Sequence, residues 1–237
     1  MAKSKNKRNF FIGIDLGGRE KKTTGICILE YCPSNASSKK SFSFFKIWCK
    51  SCQDIYGKEV FKTIEKYLKE TKVIAIDAPL TSGRGRGKMR LFEKFLATKI
   101  FRKEKVNPIP PALMPELCVF ALELRKKLEK RRFILDINLI EVFPILIKKI
   151  RKYSNILKNV RIFNNLICKT EHQKSALICA QIAFLHSHFQ TGYLGYKDGF
   201  LFLPKISFWK KEWRQKFFQA WFKKDRLKYR HLKTNIF

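Results

Sequence analysis

The chain has 237 residues, enough for one substantial core with an appendage. Apolar residues make up 45% of it, which excludes disorder as the starting assumption. Its 51 Lys and Arg against 19 Asp and Glu leave a formal charge of +32, a field that attracts polyanions, nucleic acid first among them. A thermophilic drift in composition would raise Lys and Glu together, and the acids here are scarce.

Seven cysteines, an odd number, are scattered without a disulfide framework. Cys49-x-x-Cys52 is half of a zinc ribbon, but no second CxxC or HxxxH follows it. Thiols in a reducing compartment are the expectation. The basic run Met1–Arg8 precedes an apolar stretch that is short and contains Asp15, so it does not read as a signal peptide. No uncharged run of membrane-spanning length follows. A cytoplasmic protein with no membrane partner is expected.

In chain order, Phe10–Leu16 and Thr23–Glu30 read as two strands joined by the polar turn GGREKK, with Phe42–Cys49 as a third strand. Asp54–Glu70 has helical periodicity, with Val60, Phe61, Ile64, Tyr67 and Leu68 on one face. Val73–Ile76 is a short apolar run of the kind that forms a buried parallel strand, ended by Asp77. The Gly-rich basic loop Ser82–Lys88 leads to a helix over about 89–99, and a Pro-rich break precedes another over about 115–130. Ile137–Phe143 reads as a strand carrying Glu141, about 170–189 as a long helix, and Phe200–Leu203 as a last short strand. The order β-β-β-α-β defines an α/β fold.

Asp15, Asp77 and Glu141 each stand at or beside the end of an apolar strand, where a charge is costly unless paired or bound to metal. Ligand sites in α/β sheets gather at the carboxyl ends of strands, and carboxylates converging there suit Mg²⁺ or Mn²⁺. Two such ions roughly 3.5–4 Å apart can drive phosphodiester cleavage. The alternative is that one or more of the three acids merely caps a helix or turn.

The runs GIDLGGREKKTTGICIL, VIAIDAPL, EVFP and HQKSALICAQIA, with Arg90, the Pro-rich break and GYKDGFLFLP, together resemble the domain of unknown function 429 family. The resemblance covers roughly residues 10–204 and implies a ribonuclease-H-like mixed sheet flanked by helices, acting as a metal-dependent nuclease, a hydrolase. It implies Asp15 and Asp77 as metal ligands and Glu141 as a third acid. One position departs: where the family carries an Asp before Ala-Leu on the late helix, this chain has Ser175. Glu171 and His172, four and three residues earlier, share a helical face with Ser175. His172 is a candidate general base and Glu171 a candidate ligand. The plainer alternative is a helix start capped by Thr170, with Glu171 favouring the dipole.

Arg84, Arg86, Lys88 and Arg90 follow Asp77 on a loop that is neither a Walker A motif nor a dinucleotide fingerprint. They suit phosphate-backbone contacts beside the site; an ordinary solvated loop is the alternative. Residues 205–237 read as a basic aromatic helical extension to a domain of residues 1–204. The extension holds eleven Lys and Arg, with Trp209, Trp213, Phe217 and Trp221 at four-residue intervals. Trp209, Trp213 and Arg214 are candidates to stack on and pair with single-stranded nucleic acid. A ridge packed into the core and an amphipathic helix on an anionic membrane are the alternatives. Two other functions compete with the nuclease. One is a non-catalytic nucleic-acid-binding protein. The other is an actin-like-fold phosphotransferase, which would also open on Asp15-Leu16-Gly17 and a hairpin.

Overall fold

Three strands in succession open the chain: β1 (Asn9–Asp15), β2 (Thr24–Tyr31) and β3 (Phe45–Ile55). The computed structural model describes residues 8–31, 45–82, 89–151, 160–163, 168–224 and 230–237. β3 runs through Asp54, which the sequence assigns to a helix, because it pairs along the whole of β2. The helix that follows is correspondingly short, α1 (Val60–Glu65), bracketed by 3₁₀ turns at Gly57–Glu59 and Leu68–Glu70. Its expected apolar face survives, with Val60, Ile64 and Leu68 buried.

β4 (Thr71–Asp77) lies parallel to β1 on the side away from β2. The expected helix after the Gly-rich loop splits into α2 (Leu91–Leu96) and α3 (Lys99–Lys103). After α4 (Pro115–Glu129), the short β5 (Leu139–Glu141) pairs parallel to β4. Then come α5 (Pro144–Ile150), β6 (Val160–Phe163), which pairs parallel to β3, and the long α6 (Glu171–Ser187). The result is a mixed sheet of order β5-β4-β1-β2-β3-β6, flanked by helices.

Both sheet faces are covered, which is why β1, β2 and β4 read as continuous apolar runs rather than alternating ones. Ile12, Ile14, Ile26, Ile28, Ile74 and Ile76 face α1 and α4. Phe11, Cys27, Leu29, Val73 and Ala75 face α6. Each fully buried aliphatic side chain contributes about 1.5–3 kcal/mol. α6 is buried on nearly every side, and its small residues let it lie close to the sheet. Glycine is required at two points of contact. A Cβ on Gly13 would stand 2.0 Å from the Ala176 carbonyl oxygen, and one on Gly25 2.3 Å from that of His172.

A second sheet, β8-β7-β9, closes the molecule with β7 (Thr191–Tyr196), β8 (Gly199–Pro204) and β9 (Lys233–Thr234). β7 is a strand where the sequence suggests only a glycine turn. Between β8 and β9 lies α7 (Lys211–Phe222). Residues 205–237 are therefore no separate extension: Trp213, Phe217 and Ile236 join the core cluster that holds Phe95, Phe101 and α6. Among the described residues no helix is long and apolar enough to cross a membrane.

A candidate acidic site at the ends of β1 and β4

Asp15 is the last residue of β1 and Asp77 the last of β4, and the two are direct partners in parallel register. Parallel pairing sends both side chains to the same face at the carboxyl edge of the sheet. There they line a cleft of about 250 Å³ with Glu141, Asn107, Met114 and Phe143. The two carboxyls interact directly. Burial, then the charges of Asp15 and Glu141, push Asp77 well above the usual carboxylate range. Burial also raises Asp15, against the opposing influence of His172 and Lys148. Like charges this close cannot both ionise cheaply, so the pair holds a proton or attracts a cation.

Two further groups reach the pair. His172, in the first turn of α6, places Nδ1 2.9 Å from Asp15 Oδ2. The helix is capped there as the sequence suggests, the Thr170 hydroxyl accepting from the Gln173 N–H at 3.1 Å. The close approach of α6 over Gly25 sets the reach. Lys148, from α5, is the group the sequence reading missed. Its ammonium donates to Ser175 Oγ at 3.3 Å and to Glu171 at 3.1 Å, and its charge acts on both aspartates. No local pattern marks Lys148 among its neighbouring lysines; only the packing of α5 on α6 selects it.

The remaining candidates fall elsewhere. Glu141 lines the cleft, but Arg90 binds both its oxygens, at 2.7 Å each, and the Leu80 N–H donates to Oε2 at 2.9 Å. Arg90 also pairs with Glu93 and lies over the Phe92 ring. At 2% exposure it is a buried strut and not a phosphate contact, a correction that follows from the two acids packed around it. Glu171 points outward, its side chain 71% exposed and held by Lys148 and Lys174, so it does not reach the aspartates. Trp209 and Trp213 are 1% and 2% exposed and offer no face to a base. The Trp209 indole N–H instead donates to the Pro204 carbonyl at 2.8 Å. Arg214 donates to the carbonyls of Trp209 and Ser207, closing the turn before α7. Arg84, Arg86 and Lys88 lie outside the described residues.

Among the described residues no three His, Cys, Asp or Glu side chains form a group that could hold a metal ion. Mg²⁺, however, keeps several waters and is commonly bound through one or two carboxylates together with substrate phosphates. The Asp15–Asp77 pair, two carboxylates side by side at the mouth of a cleft, fits that requirement. The molecule is thus a mixed α/β protein with an acidic pair at the carboxyl ends of adjacent parallel strands. Against known proteins, the chain matches no family model, no curated protein and no solved structure.

Proposed function

We propose that this chain is a divalent-metal-dependent nuclease of ribonuclease-H-like fold, hydrolysing phosphodiester bonds of DNA or RNA in the cytoplasm. The observation that carries the reading is the Asp15–Asp77 pair in direct register, raised in pKa and met by His172. The β-β-β-α-β order with Asp15 on a central strand, and the resemblance to the domain of unknown function 429 family, support it. Asp15 and Asp77 would hold Mg²⁺ or Mn²⁺, which supplies Lewis acidity toward a phosphate oxygen and an acidified water.

The chain's own groups would do the rest. Asp15 orients the His172 imidazole, whose exposed ring is placed to accept a proton from water at its other nitrogen. Lys148 would offset charge on the phosphate as it enters. The cleft is below the roughly 300–1,000 Å³ of small-molecule pockets. It suits a phosphate on a polymer lying across its mouth better than an enclosed nucleotide, which disfavours the phosphotransferase.

The test is cleavage of end-labelled single- and double-stranded DNA and RNA with Mg²⁺ or Mn²⁺. Cleavage should disappear in Asp15→Asn while bulk binding persists. Cleavage that survives Asp15→Asn would remove the reading. A second reading, binding without cleavage, is favoured by Lys148 at Ser175, an ammonium beside the pair. Nucleic-acid binding with no cleavage in either metal would establish it.

A further inference from the structure

Four thiols meet beside the first turn of α6. Cys27 and Cys52 are direct partners across β2 and β3, and Cys49 Sγ lies 4.0 Å from Cys27 Sγ. Cys52 Sγ lies 3.8 Å from the sulfur of Cys168, a residue 116 positions away in sequence. Cys27 and Cys49 are buried, whereas Cys52 and Cys168 are only half-buried. We propose that Cys52 and Cys168 form an oxidation site, at which a peroxide converts the two thiols into a disulfide that anchors the start of α6 to β3.

Cys52 is the sulfur oxidised first. The neighbouring Cys27 and Cys168 thiols hold its pKa below the usual thiol value, whereas burial pushes Cys168 up to about 12. The Cys52 thiolate forms an S–O bond as the peroxide O–O bond breaks and hydroxide leaves. The Cys168 sulfur then displaces the sulfenic oxygen: the S–S bond forms, the S–O bond breaks, and the oxygen departs as water with the Cys168 proton. Two thiols lose two electrons in all, and the peroxide gains them.

The sulfurs must close from 3.8 Å to roughly 2.05 Å. Cys168 lies two residues before the Thr170 cap, so the adjustment falls at the helix start. Oxidation therefore acts on the turn that carries His172. Cys52 already donates to the Gln173 carbonyl oxygen at 3.7 Å, and Asp54, two residues along β3, accepts from Thr170 and Gln173. The disulfide would make covalent an attachment that is now a set of hydrogen bonds. Oxidation itself does not depend on the nuclease reading, and its readouts are mass and melting temperature, so the two proposals fail separately.

The experiment treats the full chain with hydrogen peroxide, blocks remaining thiols, and maps cross-linked peptides by mass spectrometry. The expected product is a Cys52–Cys168 link, two hydrogens lighter, with Tm raised by roughly 5–10 °C and restored by reductant. Cys168→Ser should abolish that rise and leave a sulfenic acid on Cys52 that dimedone traps. A folded chain that forms no such link, or links Cys27 to Cys49 instead, would overturn the proposal. So would one equivalent of zinc released only on unfolding, since the four thiols would then be ligands.

Discussion

Asp77 carries the clearest electrostatic consequence at the level of single residues. Its folded pKa lies well above 3.8. A raised carboxyl pKa means stability that is present below the unfolded value and lost as pH rises through the folded one. Without divalent metal, the wild type should lose melting temperature relative to Asp77→Asn as pH climbs from about 4 toward neutrality. Mg²⁺ or Mn²⁺ should restore the wild type and leave the variant unmoved, because linkage requires binding to the folded state. Thermal scans of both proteins across that range, with and without metal, check the sign; parallel curves would show that the pair does not titrate as described. Lys148→Met should strengthen the metal response by removing a competing charge. Arg90 belongs to the same scale but to stability. Arg90→Met strands Glu93 and Glu141, both buried, and should cost about 3–5 kcal/mol in denaturant unfolding. A loss under 1 kcal/mol, at the level of an exposed pair, would contradict the burial of this cluster.

Among the elements, α6 and α7 decide most. α6 delivers His172 only because Gly25 admits its first turn. Gly25→Ala should push that turn outward and break the 2.9 Å His172–Asp15 contact, visible as changed chemical shifts of the His172 ring by NMR in a protein that still folds. Unchanged His172 ring shifts would uncouple the helix approach from the site. α7 carries an aromatic ridge that could equally have served as a stacking platform. Its burial against Phe95 and Phe101 makes it core, the rings of Phe95 and Phe217 lying 5.4 Å apart. Trp213→Ala should accordingly cost about 3–5 kcal/mol, as large-to-small core changes do. Removing residues 205–237 should strip β9 from β7 and yield insoluble or poorly cooperative protein rather than a stable smaller domain. A truncated chain with native melting behaviour would return the tail to the status of an appendage.

At the scale of the whole molecule, charge governs. A net +32, with most of the described lysines facing solvent, should bind any nucleic acid at low salt, the logarithm of the affinity falling linearly with log salt as counterions are released. Titration of a labelled oligonucleotide at several salt concentrations measures that slope; no binding at low salt would remove nucleic acid as the partner. Asp15→Asn should leave the slope unchanged, since it alters the site and not the basic surface.

The succession β-β-β-α-β along the chain, the acid at the end of β1 and its counterpart on β4 were legible in the sequence, while the order of the strands in the sheet was not. An apolar run that ends in Asp is a local signal, and a sheet covered on both faces writes its strands as unbroken apolar stretches. The cap at Thr170 was legible for the same reason. Long-range packing was not. Whether Trp209 and Trp213 face solvent or core depends on what lies opposite them, and period-four aromatics fit both cases. Arg90 reads as a loop cation until Glu141, 51 residues on, closes on it. Lys148 and the Cys52–Cys168 pair join groups whose spacing in sequence carries no periodicity. Only the approach of α5 and α6 to the sheet brings them together. Sequence alone set the β-β-β-α-β order, the two aspartates and the charge; tertiary structure alone decided which cations and aromatics would ever meet them, because side-chain burial depends on elements far away along the chain.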